Sequence, residues 1–267
     1  MSDVQLQEQI AAARAYEDLF VPALFQQWVT RVIDAAQILV GQRVLDVACG
    51  TGVLTREVAS RVGASGFTAG LDIAPGMLAV AKQIAPEIVW KQGTADSLPY
   101  PDQSFDAVVC QFGLMFFPDR LKSLREMLRV LVPGGHLAVA VWDSLDNIPA
   151  FACEVALLER IAGSPAADAL RAPFVLGDRN ALASLAEEAG AASVQVQTHM
   201  GQAKFPSIRS LVEADLRGWL PIMGVVLPEH QIQQILEEAE DALRSFANTQ
   251  GQAVFDIPAH IVSGTKS

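Results

Sequence analysis

The run Asp46-Val47-Ala48-Cys49-Gly50-Thr51-Gly52 brings a carboxylate, two glycines and a hydroxyl together directly after the apolar stretch Val44-Leu45. Glycines at this spacing let a ligand come up against backbone N–H groups, because no Cβ stands in the way. Asp72 closes a second apolar stretch twenty residues beyond Gly52. There a carboxylate can accept hydrogen bonds from both hydroxyls of a ribose. A third acid, Asp96 in Ala95-Asp96-Ser97-Leu98, follows a third such stretch and is placed to accept an amino proton from a purine edge. Loop, ribose acid and base acid, in that order, describe a pocket for an adenosine-type cofactor.

Dinucleotide sites use a similar loop, but their fingerprint wants a third glycine where this chain has Thr55. Asp46 would also face an anionic pyrophosphate unfavourably, whereas it suits an ammonium beside a cationic sulfonium. The charge pattern therefore favours S-adenosylmethionine. Methyl transfer from a sulfonium is an in-line displacement, which asks for placement and a dry pocket. It asks for a general base where the acceptor is a hydroxyl or a protonated amine. The catalytic assignment is open: His136, His199, His230 and His260 are scattered. Asp143, after the fifth strand, is a candidate equally able to cap the segment that follows. The apolar run Gln111-Phe112-Gly113-Leu114-Met115-Phe116-Phe117 suits a lipophilic or aromatic acceptor. Phe112, Phe116, Trp142, Trp219 and Met223 are its candidate pocket residues, core packing being the equal alternative.

These side chains need strands that end at one crevice. Short apolar runs at 44–48, 67–71, 88–91, 105–110 and 137–142 alternate with helical patterns at 54–62, 75–84 and 119–131, the rhythm of a largely parallel sheet covered on both faces. Pro133-Gly134-Gly135 marks a sharp turn. Past Trp142 the spacing predicts a helix over 148–162, a loop over 165–173, a helix over 181–189, and strands over 193–198 and 253–262. A second helical insertion covers 207–246, broken at Pro221 and Pro228, and two or three helices interrupted by Pro22 occupy 6–39.

A net charge of -11 without a block of Lys and Arg argues against a nucleic-acid partner. The apolar runs are too short to span a bilayer and no secretory pattern opens the chain, so a cytoplasmic setting and a small-molecule partner are expected. Cys49, Cys110 and Cys153 form neither a disulfide framework nor a zinc pattern, and no metal is expected. A homo-oligomer remains open.

Val44 to Gly52, Gly70-Leu71-Asp72-Ile73 with Met77-Leu78, Asp96, Phe105-Asp106, and Arg129-Val130-Leu131 with Pro133-Gly134-Gly135 form an ordered set over about residues 40–145. This set resembles the class I S-adenosylmethionine-dependent methyltransferases, in particular the small-molecule group similar to the ubiquinone and menaquinone biosynthesis enzymes. The resemblance implies an α/β, Rossmann-like, doubly wound and mostly parallel seven-stranded sheet with helical cap insertions. It implies that Asp46, Ala48, Gly50, Thr51 and Gly52 line the methionine part of the cofactor, that Asp72 and Ile73 hold the ribose, and that Met77 packs on adenine. Ala95, Asp96 and Ser97 would flank the adenine edge, and Gln111 would face the methionine end. An aromatic from the first helices would close over the donor, with Tyr16 and Trp28 as candidates and core packing the alternative for Trp28. S-adenosylhomocysteine would be the product. The chain then divides into a helical segment over 1–40 covering the cofactor site, a cofactor-binding core over 41–145, and the remainder over 146–267. That remainder holds sheet at about 178–200 and 252–264 and cap inserts at about 148–177 and 205–248. An NAD(P)-dependent oxidoreductase and a non-catalytic nucleoside-binding module remain the alternatives.

Overall fold

The computed structural model describes residues 3–267. Seven strands form one sheet: β1 Arg43–Val47, β2 Phe67–Asp72, β3 Val89–Gln92, β4 Phe105–Gln111, β5 Leu131–Trp142, β6 Ala191–Phe205 and β7 Ala253–Lys266. Their order is β3-β2-β1-β4-β5-β7-β6. The first five run parallel, and β7 lies antiparallel to both its neighbours. Val44, Leu45, Val47, Ala107, Val108, Val109 and the run Leu137–Val141 are buried, as strands covered on two faces must be. The strand order reverses between β1 and β4, which opens a crevice at their carboxyl ends.

The helices are α1 Asp3–Ala15, α2 Val29–Ala35, α3 Val53–Val62, α4 Pro75–Ile84, α5 Arg120–Val130, α6 Pro149–Ala162, α7 Ser164–Arg171, α8 Arg179–Ala189, α9 Ile208–Ala214, α10 Leu220–Ile222 and α11 Glu229–Ala242. Three carry side-chain N-caps. Asp119 accepts from the Lys122 N–H at 2.9 Å, Asp178 from Asn180 and Ala181, and Ser207 from Ser210.

Five expectations need correction. Pro22 does not interrupt the first helices. It lies inside a π-helical stretch, Tyr16–Phe25, where wider turns such as Gln26 N–H to Val21 C=O replace the bonding that a proline denies an α-helix. Pro221 likewise sits in the first turn of α10, so of the two prolines Pro228 alone precedes a fresh helix start. The stretch expected as a loop from Pro165 contains α7, since a proline in the first turn opens a helix rather than forbidding one. Finally, β5 begins at Leu131 and runs through Pro133-Gly134-Gly135, with a register shift opposite Phe105 and Ala107, and β6 is much longer than the alternating 193–198 segment.

Trp90 on β3 supports the loop after β1 from below. Its indole N–H donates to Ala85 C=O at 2.8 Å, which fixes the ring. A Cβ on Gly52, whose φ is +90°, would stand 2.3 Å from that ring, so this position needs glycine for its backbone angle and for space. Gly52→Ala is expected to lower the unfolding free energy by about 3 kcal/mol. Gly134→Ala, at φ +75° with open space around the new Cβ, should cost about 1 kcal/mol. Guanidinium chloride unfolding of the two variants measures the difference.

Candidate active site

Asp46 lies on β1 and is almost completely buried. Its Oδ2 accepts a 2.6 Å hydrogen bond from the Thr55 hydroxyl, in the first turn of α3. Oδ1 has no partner among the described residues. Burial pushes its carboxyl up to about 7, the Thr55 hydrogen bond opposing and the nearby Asp72 carboxylate adding to the rise. Thr55 thus occupies the place of a third glycine with a task of its own, which spacing alone did not reveal.

Asp72 ends β2 and faces the loop. Its Oδ2 accepts from the Gly50 N–H and its Oδ1 from the Ala74 N–H, both at 2.8 Å. Burial raises its pKa against these backbone donors. At the strand ends Ala48 and Phe112 adopt left-handed backbone angles, φ +59° and +56°. The two loops meet so closely that a Cβ on Gly113 would fall 2.6 Å from the Ala48 Cβ. Strained backbone held by tight packing is characteristic of ligand-binding crevices. Gln111, ending β4, donates to Phe25 C=O at 3.3 Å and leaves its buried Oε1 without a partner among the described residues. The Thr51 hydroxyl is also buried and unpartnered.

The first helices close over these acids. Arg56 on α3 ties them down: it donates to the Thr51 carbonyl and pairs with Glu17, both at 2.7 Å. Tyr16 stacks on Phe20 and Phe25, and its phenol pKa is raised by burial and then by the carboxylates of Asp72, Glu17 and Asp46. Trp28, the other aromatic considered, is fully buried and packs edge-on against Phe112 and Trp142.

Around the expected adenine position, Ile73 is exposed at the end of β2, Met77 is half-buried on α4, Ala95 is buried, and Ser97 is exposed. Asp96 is partly exposed, 3.6 Å from the Lys122 ammonium. A hydrogen bond from Thr94 and then that charge hold its carboxyl below the usual range. The segment carrying Ala95 and Asp96 is fastened to α5 by Glu126, which sequence reasoning did not single out, and by Arg129, whose place in the motif set gave no hint of this role. Glu126 accepts from the Leu98 N–H, and Arg129 donates to the carbonyls of Leu98 and Tyr100.

A cavity of about 520 Å³ adjoins Tyr16 and Met77 and extends under the inserts. Phe112, Phe116, Trp142 and Trp219 line it. Phe112 and Trp142 stack at 3.8 Å between ring centroids, and Phe116 lies 5.1 Å from Trp219. Met223 does not line the cavity; it packs against the core while its neighbour Ile222 takes the wall. Asp143 lies elsewhere. Its Oδ1 accepts from the Ser144 N–H at 2.6 Å and from the Asn147 amide at 3.0 Å, and lies 3.2 Å from His260 Nε2. His260 in turn meets the Gly177 carbonyl and the Thr198 hydroxyl, each at 2.9 Å. Asp143 therefore caps the turn after β5, the alternative its position offered, and does not border the cavity.

The ubiE/COQ5 methyltransferase family pattern matches residues 14–153, from the first helices through the glycine loop to the start of α6. The chain belongs to that family. Its relatives include the 2-phytyl-1,4-naphtoquinone methyltransferase of Thermosynechococcus vestitus, 41% identical over 119 residues, which cover 43% of this chain and 53% of the relative. The demethylmenaquinone methyltransferase of Renibacterium salmoninarum is 45% identical over 115 residues, which cover 43% and 47%. The chain spans about half the length of the curated relatives it matches. The YcgJ protein of Bacillus subtilis shares its fold, with a TM-score of 0.59 at 23% identity over 90% of this chain and 98% of that one. So does phosphoethanolamine N-methyltransferase 2 of Haemonchus contortus, solved in complex with S-adenosyl-L-methionine, with a TM-score of 0.60 at 16% identity over 96% and 57%. The Rossmann-like, seven-stranded architecture expected from the sequence is thus the fold of this family member.

Asp46 has a clear consequence for stability. Its carboxyl rises from 3.8 to about 7 on folding, so the folded chain holds a proton the unfolded chain has lost. The corresponding stability is complete below 3.8 and disappears as pH climbs through about 7. Thermal unfolding of the ligand-free protein across that window should show a fall with rising pH that is shallower in Asp46→Asn.

Proposed function

We propose that this protein transfers a methyl group from S-adenosylmethionine to a small, ring-bearing apolar acceptor of the quinone-precursor type, releasing S-adenosylhomocysteine. The observation that carries this reading is the buried, unpartnered Oδ1 of Asp46. It lies on the same crevice as the ribose-side acid Asp72 and beside an aromatic-walled cavity. A carboxylate that is costly to bury alone becomes favourable once a cation faces it. The Gln111 Oε1 and Thr51 hydroxyl, unpartnered among the described residues, add acceptors on that side of the crevice, and the space around Gly50, where a Cβ would meet nothing within 4 Å, leaves the backbone free to meet a ligand.

When bound, the cofactor supplies an electrophilic methyl group on a sulfonium. The chain's own work is placement and exclusion of water. Asp46 orients the cationic end, Asp72 receives the ribose, and Met77 and Ile73 flank the base. Tyr16, drawn over the two acids by the Arg56–Glu17 pair, screens the site from solvent. Phe112, Trp142, Phe116 and Trp219 hold a flat ring beside the donor. A ring carbon made nucleophilic by its own hydroxyls needs placement more than a strong base, in keeping with the structural role of Asp143. The names of the quinone-modifying relatives support this acceptor class. The acidic net charge supports a small-molecule over a nucleic-acid partner, and three free thiols support a cytoplasmic setting.

Calorimetric titration of protein stripped of co-purified ligand tests the donor. S-adenosylmethionine and S-adenosylhomocysteine are expected to bind, Asp72→Ala should weaken both by about tenfold or more through its lost hydrogen bonds to ribose, and reduced nicotinamide dinucleotide should not bind. Binding of the nicotinamide alone would sink the reading.

A further inference from the structure

The wall of the aromatic cavity contains one buried charged side chain that the donor site does not use. Asp215 opens a second π-helical stretch, Asp215–Trp219, and is 4% exposed. Behind it, on α6, Glu154 is fully buried. The two carboxyls lie near enough for the Asp215 charge to act on Glu154, and two buried carboxyls so placed favour a proton on one of them. Both oxygens of Glu154 and Oδ2 of Asp215 lack a hydrogen-bond partner among the described residues. Burial pushes the Asp215 carboxyl up to about 8, and burial together with the Asp215 charge raises Glu154 well above its ordinary range. The other charged residues lining the cavity, Glu213 and Arg217, are partly exposed and committed to ion pairs with each other and with Glu229.

Two buried carboxyls do not pay for themselves as packing: apolar residues of similar volume commonly leave a fold as stable or more so. Resting on the acceptor reading above, we infer that Asp215, held in place by Glu154, is the hydrogen-bonding subsite that recognises a hydroxyl on an otherwise apolar aromatic acceptor. Whichever of the two carboxyls carries a proton, lone pairs on Asp215 remain for the acceptor's O–H. The flat ring rests on the Phe112–Trp142 and Phe116–Trp219 surfaces. Glu154 acts through Asp215 and is a positioning residue. The pocket then selects hydroxylated rings over their ethers, because an acceptor without the O–H would leave a buried oxygen unpaired.

The probes are 1-naphthol and 1-methoxynaphthalene, which share a ring system and differ in the O–H. They are titrated by fluorescence into wild-type protein and into the Asp215→Leu and Asp215→Leu/Glu154→Leu variants, without any adenosyl ligand. Wild type is expected to prefer the naphthol by about tenfold, and both variants should bind the two probes equally. Damage to the cavity as a whole would lower both affinities together and leave the ratio intact. The double variant removes both buried carboxyls and so remains a folded control should the single one misfold. Equal wild-type affinities, no naphthol binding, or a preference that survives in the double variant would overturn the inference. S-adenosylhomocysteine is titrated separately into the same samples; its failure to bind wild type would count against the methyl-donor reading alone.

Discussion

The hydrogen bond from the Gly50 N–H to Asp72 Oδ2 joins the loop after β1 to the end of β2, and the crevice takes its shape from it. The parallel register, Val47 opposite Leu71, brings the two strand ends level, and the Cys49 N–H continues the ladder to the Leu71 carbonyl. From that point the loop must turn sharply. The turn brings Gly52 down on the ring of Trp90, while Gly70 on β2 meets the same ring from the neighbouring strand. One aromatic side chain on an edge strand thereby dictates two glycines, one in the loop after β1 and one on β2. The sequence pattern of the loop reflects this packing as much as it reflects the ligand.

The same geometry sets an electrostatic constraint. Asp46 and Asp72 are buried side by side in an already acidic chain, and the hydrogen bonds they receive offset only part of the cost. Such a site disfavours an anion and is organised in advance for a cation. At such a site charge, rather than shape, would separate a sulfonium-bearing nucleoside from a pyrophosphate-bearing dinucleotide. Thr55 serves both sides of that distinction, since its bulk replaces the glycine a dinucleotide site needs and its hydroxyl steadies Asp46.

The crevice around the glycine loop was legible because its demands are local. A strand, a turn needing glycine and an acid at the next strand end each leave a mark within a few residues, and all of Asp46, Gly50, Gly52 and Asp72 fall on one crevice. What escaped notice were partners distant in sequence: Arg56 with Glu17, and Glu126 and Arg129 gripping the loop that carries Asp96. The aromatic wall was legible as a composition, and Phe112, Phe116, Trp142 and Trp219 do meet around one cavity, yet Met223 does not. Asp143 stood at a good strand end, but strand position cannot say whether a carboxylate faces a crevice or caps the next turn. A proline does not by itself mark a break: Pro22 in the N-terminal segment and Pro221 in the second insert sit inside continuous helical paths.

Two π-helical stretches, Tyr16–Phe25 and Asp215–Trp219, meet across the cavity, where a Cβ on Gly218 would lie 3.7 Å from the ring of Phe20. A wide turn rotates side chains off the 3.6-residue stripe, so periodicity cannot say which of them point inward. That explains why this half of the site resisted sequence reasoning, and it also says what the half is for. The methyl donor proposed above would be one molecule with fixed charges, so its pocket would demand particular atoms at particular places. An apolar ring asks chiefly for volume and flat contact, which many combinations of side chains supply. The match to the family accordingly ends at residue 153, while the second π-helical stretch lies beyond it. A cavity built this way tolerates wide variation in its walls, so its discrimination must come from the few polar groups those walls retain.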